Sequence, residues 1–146
     1  MSVQAYLCFD GRCEEALEFY SAKLGAPVQE IMLFSEAPPM PESHEGTASE
    51  GCGAMPPGAE NKILHASFQL GDSIVMASDG MNSGQPKFEG FSLAHSVKTD
   101  EETKRIFDLL AEEGKIEMPL EPTFWTSSFG MVADKFGVSW MIMTAQ

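Results

Sequence analysis

One order of elements occurs twice along this chain, and it constrains the fold more than any other feature. "VQAYLCF" (residues 3–9) sets Gln4, Tyr6 and Cys8 on one face and Ala5, Leu7 and Phe9 on the other, the period of two expected of a strand. After a break at Asp10-Gly11 the period lengthens: Cys13, Ala16, Leu17, Tyr20 and Leu24 fall on one helical stripe, with Glu14 and Glu15 in the first turn and Gly25 as a left-handed stop. Three strands follow, "VQEIMLF" (28–34), "KILHASFQL" (62–70) and "SIVMAS" (73–78), the last two joined by a tight turn at Gly71-Asp72. The second half repeats this order. "FSLAHSV" (91–97) reads as a strand, Asp100 as an N-cap, and Thr103, Ile106, Phe107 and Leu110 as the stripe of a helix that stops at Gly114. "KIEMPL", "SFGMVAD" and "VSWMIMT" complete the set, the last two joined through Lys135-Phe136-Gly137.

Gly25 and Gly114 lie 89 positions apart, and Gln4 and Ser92 lie 88 apart, so order and spacing imply an internal duplication of a βαβββ unit. The expected fold class is α+β, with two such modules in tandem, about 1–80 and 88–146, in a single domain of 146 residues. A helix on one sheet face leaves the other face free, and two modules side by side form a curled mixed sheet with an open cleft suited to a small molecule.

Charge narrows the partners. Twenty-two acidic against nine basic residues give a formal charge of −13, which repels nucleic acid phosphates and anionic membranes. The apolar runs are too short to span a bilayer. Cys8, Cys13 and Cys52 follow no metal-type spacing, and the chain reads as a cytoplasmic protein with reduced thiols. From Ser35 to Asn61 repeated Pro and Gly exclude regular structure, and a loop of that length suggests a lid or a mobile segment.

The phrases "YLCFDGRCEEALEFYSAKLGA", "MPPGAENKILHASFQLGDSIVMASD", "GFSL" and "MPLEPTFWTSSFGMVADKFGVSWMI" resemble the PhnB-like family of the vicinal oxygen chelate superfamily over nearly the whole chain. That resemblance implies the glyoxalase/bleomycin resistance/dioxygenase fold, often assembled as a homodimer. Its members stand under glyoxalase, bleomycin resistance, dioxygenase and demethylubiquinone methyltransferase headings. In metal-dependent relatives His or Glu side chains from the first and last strands of each half hold a divalent ion, leaving positions for two substrate oxygens. The corresponding positions here are Gln4, Ser92, Met76 and Met141. An amide, a hydroxyl and two thioethers do not replace hard or borderline ligands, so no metal and no cofactor is expected at that place. A displaced divalent metal site built from His65 and a carboxylate such as Asp79 is the alternative, and would make the protein a lyase or dioxygenase of glyoxalase type. No Gly-rich strand-to-helix turn supports a nucleotide cofactor for methyl transfer.

His65 is the candidate catalytic residue, on a strand face with Ser67 and Gln69, where imidazole could act as a base near neutral pH. His95 alternates with Leu93 and Val97 and reads as structural; His44 reads as part of a solvated segment. Trp125, after two prolines, suits a pocket mouth or a dimer seam, with core packing equally open. No His is placed to activate Cys8 or Cys13. Gln4, Tyr6, His65, Ser92, Trp125 and Met141 are therefore expected to contact a small molecule, which the negative charge suggests is a cationic aromatic ligand.

Overall fold

The structure, a computed structural model, describes residues 1–9, 11–36, 61–79 and 87–146. Asp10, His44, Cys52 and all but the ends of the Pro- and Gly-rich segment from Ser35 to Asn61 lie outside the described residues. The chain divides into two compact units, Met1–Pro86 and Lys87–Gln146.

In the first unit β1 (Tyr6–Cys8), α1 (Cys13–Leu24), β2 (Val28–Leu33), β3 (Ile63–Leu70) and β4 (Ser73–Ser78) form a four-stranded sheet in the order β1-β4-β3-β2. The second unit has β5 (Leu93–Val97), α2 (Asp100–Ala111), β6 (Lys115–Glu121), β7 (Phe129–Ala133) and β8 (Ser139–Thr144), in the order β5-β8-β7-β6. In each sheet the first and last strands of the unit pair parallel and the other neighbours antiparallel. Two open mixed sheets with one helix each constitute the expected tandem α+β architecture.

The duplication extends to an irregularity. The pairing of β2 with β3 shifts register between Val28 and Glu30, and that of β6 with β7 between Ile116 and Met118, again 88 positions on. Gln29 and Glu117 are thus the bulged residues of equivalent strands, which twists both sheets at the same place.

Helix termini differ from the sequence expectation in two ways. Thr99, not Asp100, is the N-cap of α2: its hydroxyl accepts from the Glu102 amide at 3.2 Å, and Asp100 is the first helical residue. Gly114 is not the left-handed stop. α2 ends at Ala111 and the positive φ falls on Glu113, at 59°, which lies 88 positions after Gly25 at 62°. Gly114 is needed for a different reason, since a Cβ there would sit 2.3 Å from the Ala133 carbonyl oxygen and 2.7 Å from that of Leu110.

Packing follows the periodicities. Leu7, Phe9, Ala66, Phe68, Val75 and Ala77 meet Cys13, Ala16, Leu17, Phe19 and Tyr20, with Tyr20 stacked on Phe68 at 5.5 Å. Leu24 is only half-buried, and Phe19 joins the core in its stead. The second core sets Thr103, Ile106, Phe107 and Leu110 against Val132, Trp140 and Ile142. Large buried side chains of this kind contribute roughly 1.5–3 kcal/mol each. Among the described residues no helix is long and apolar enough to cross a membrane.

Candidate functional site

Alternation along the strands sorts side chains between the helix side and the open side of each sheet, and Tyr6, His65 and Met141 fall on the open sides. In the first unit, His65 is opposite Met32 on β2, and Tyr6 is opposite Met76 on β4. The Tyr6 hydroxyl lies 3.3 Å from His65 Nδ1, and the two rings are 5.7 Å apart. The pair is exposed. Gln4 is also exposed and precedes β1, where the Met76 amide donates to the Ala5 carbonyl.

Asp79 does not join His65. Ala66 pairs with Ala77, so His65 shares a face with Met76 and Ser78, whereas Asp79 follows the parity of Ala77 on the helix side. Its carboxylate is 4% exposed and accepts three backbone N–H groups, from Gly11 at 2.7 Å, Cys13 at 2.9 Å and Ile63 at 2.8 Å. This is a helix cap delivered from the end of β4: the N-cap residue Arg12 makes no side-chain cap bond. The donors that could cradle an anion at the start of α1 are already paired with the protein's own carboxylate. Burial, reinforced by the charges of Asp79 and Cys8, pushes the Cys13 thiol far above its ordinary value, which leaves it inert as a nucleophile.

In the second unit Ser92 and Met141 come together in an open depression of about 500 Å³, lined also by Phe88, Phe91, Glu89, Glu117 and Ser139. Ser139 donates to Glu117 Oε2 at 3.2 Å, and its oxygen lies 2.9 Å from that of Ser92. Phe88 and Phe91 meet edge to face. Glu117 and Ser139 are absent from the sequence expectation because Glu117 reaches Ser139 from the bulge in β6, an irregularity that periodicity does not announce. The "GFSL" phrase does point to Phe91.

Trp125 is not part of this depression. It packs edge to face on Phe124 at 4.8 Å and on Phe129 at 5.4 Å, and remains 46% exposed. His95 faces α2, where burial lowers its pKa and the charge of Glu102 partly opposes the shift. Met141 stands between Trp140 and Ile142, which are both fully buried on the helix side; the Trp140 indole N–H donates to Asp134 Oδ2 at 2.9 Å. The other Asp134 oxygen accepts the Phe136 and Val138 amides of the turn, so this carboxylate too is structural.

Of the metal positions implied by the family resemblance, Met76 and Met141 face neighbours on β1 and β5, and Gln4 and Ser92 precede those strands. This donor set does not fit a divalent ion. Among the described residues no group of three or more His, Cys, Asp or Glu is gathered to hold one.

Tandem βαβββ units with open mixed sheets define the class: the glyoxalase/bleomycin resistance/dioxygenase fold, shared with a domain of that description from Frankia sp. EAN1pec at 13% identity and a TM-score of 0.61, over 100% of this chain and 93% of the other. Residues 1–143 match the model of the family described as 3-demethylubiquinone-9 3-methyltransferase, and the chain belongs to that family. It is 42% identical to Protein YjdN of Escherichia coli (strain K12) over 142 residues, covering 97% of this chain and 94% of that one. Among solved structures, protein PA1353 from Pseudomonas aeruginosa matches with a TM-score of 0.80 at 34% identity, over 100% of this chain and 98% of the other. The PhnB protein from Bacillus cereus matches with a TM-score of 0.75 at 28% identity, over 99% and 100%.

Proposed function

We propose that the protein binds a small organic molecule on the open face of its second sheet, without a protein-held metal at the superfamily's usual position. The observation that carries this reading is the depression where Ser92 and Met141 meet Glu117, Ser139, Phe88 and Phe91. Apolar walls with a few convergent polar groups are the usual composition of a ligand site. The Tyr6–His65 pair is a second polar feature on an open face, and His65 is the residue to test for catalysis. Methyl transfer, which the family description names, is not part of this reading: the Gly11 and Cys13 amides at the start of α1 are already paired with Asp79.

The reading extends to a homodimer in the cytoplasm, supported by the free thiols of Cys8 and Cys13 and by the apolar side chains of Tyr6, Ile31 and Ile74 exposed on the first unit. Light scattering on a sizing column tests the oligomer. Binding is tested by thermal shift against a small-molecule library, since any ligand of the native state raises the melting temperature. Hits should be lost in Ser92→Phe, which fills the depression, and retained in His65→Ala. Hits that survive Ser92→Phe would refute the assignment. Metal analysis of protein purified without chelator tests the alternative glyoxalase-type chemistry: stoichiometric metal that disappears in His65→Ala would favour it over the proposal.

A further inference from the structure

The geometry points to a ligand class for this depression: an organic cation whose ammonium group is received by Glu117, with its apolar part against Phe88, Phe91 and Met141. The inference rests on the binding reading above. It comes from counting protons. An ionised carboxylate only accepts, so Ser139 must use its one hydroxyl proton on Glu117 at 3.2 Å. With that proton committed, the 2.9 Å contact between Ser139 and Ser92 is made only if Ser92 donates. Both serine protons therefore point along the chain toward the carboxylate, Ser92 to Ser139 to Glu117.

What the described lining side chains offer a ligand is then acceptor lone pairs alone: those of Ser92, the second lone pair of Ser139, the remaining positions on Glu117, and Glu89 on the same rim. Among the described residues that line it there is neither Lys nor Arg. A surface with acceptors and no side-chain donors rejects carboxylates and phosphates, and a neutral alcohol finds only one use for it. An alkylammonium carries three donors, no acceptor and a full charge, and so matches it. The two phenyl rings add a face that attracts cations, and the net charge of −13 raises the local concentration of such ligands.

The test compares three probes of equal size, benzylammonium, benzyl alcohol and benzoate, followed by amide chemical shifts of Phe88–Ser92 and Ser139–Met141 in the full-length protein. Benzylammonium is expected to shift these amides with an affinity at least about tenfold above that of the alcohol, and benzoate to leave them unmoved. Glu117→Gln, an exposed and shape-conserving change, is expected to weaken benzylammonium by roughly tenfold and to leave the alcohol unchanged. Binding of the cation should also weaken between low and high salt, as an open site is screened. If all three probes move the same amides equally, or if Glu117→Gln binds the cation as the parent does, the cation assignment is overturned while the depression remains a binding site. If no probe moves these amides and the library hits survive Ser92→Phe, both readings fall.

Discussion

The two units solve one problem, fastening the start of a helix to the end of the last strand, with different chemistry. In the first, Asp79 at the end of β4 reaches back to the Gly11 and Cys13 amides at the start of α1 and holds β3 through Ile63, so one buried carboxylate closes the unit. In the second, the equivalent strand ends in Thr144, whose hydroxyl donates to Asp100 Oδ1 at 2.6 Å and meets Thr103 at 2.7 Å, while Ser127 also donates to Asp100 at 2.6 Å. The charge has moved from the strand to the helix, and from the interior to the surface. A single buried anion concentrates the tie in one residue; a string of hydroxyls distributes it. Loss of one member should therefore cost the first unit more.

The largest expected effect is Asp79→Ala, which leaves three amides unpaired and should destabilise by about 3–5 kcal/mol in denaturant unfolding. Hydrogen exchange in that variant should accelerate at the start of α1 and at Ile63 while α2 keeps its protection; equal acceleration in both helices would erase the distinction between the units. Next is Gly114→Ala, where the new methyl collides with two backbone oxygens that cannot swing away, for about 2–3 kcal/mol. Thr144→Val removes one hydroxyl from a shared string and should cost about 1–2 kcal/mol; a loss as large as that of Asp79→Ala would break the comparison. Glu113→Gly should stabilise by about 0.5–1 kcal/mol, because it places at φ 59° the residue type that Gly25 already supplies at 62°.

The smallest effects are those of pH, and the sign differs with the group. His95 has a lowered pKa in the fold, so below the ordinary histidine value of 6.5 the unfolded chain takes up a proton before the native state does, and stability falls as pH drops through that window. Asp100 is lowered by its bonds from Ser127 and then Thr144; its contribution is complete above the ordinary value of 3.8 and is lost as pH falls below it toward the folded value. Cys13, raised by burial, contributes stability that is present below the ordinary thiol value of 9.0 and is lost as pH rises above it. Melting temperature against pH should flatten below pH 6.5 in His95→Gln, below pH 3.8 in Asp100→Asn and above pH 9.0 in Cys13→Ala. A profile identical to the parent's in any one of these would remove that group from the comparison.

The strands and helix stripes were legible in the residues because burial on one face leaves a period, and the stripe Thr103, Ile106, Phe107 and Leu110 is the buried face of α2 as it stands. What periodicity does not carry is the identity of partners far apart in sequence. Asp79 looked like a candidate metal ligand beside His65, since its true partners are backbone amides that no side-chain spacing reveals. The sequence alone places the stop of α2 at Gly114 because glycine is the usual occupant of a left-handed position, whereas the helix ends at Ala111, Glu113 holds the left-handed position and Gly114 answers a steric demand from Ala133. Ser92 and Met141 could be named by strand register. Glu117 could not, because a bulge changes which face a residue serves.

The two tryptophans of the chain both lie in the second unit, Trp140 at 0% exposure with its indole N–H held by Asp134, and Trp125 at 46%. Intrinsic emission is therefore a report from one half of the molecule. Its blue component comes from a rigid, dry indole and its quenchable component from a wet one, and acrylamide should separate the two. A variant such as Asp79→Ala that loosens the first unit can leave this signal still, and a melting curve drawn from it would describe the wrong half; Tyr6 and Tyr20, the chain's two tyrosines, both belong to the first unit and supply its optical channel.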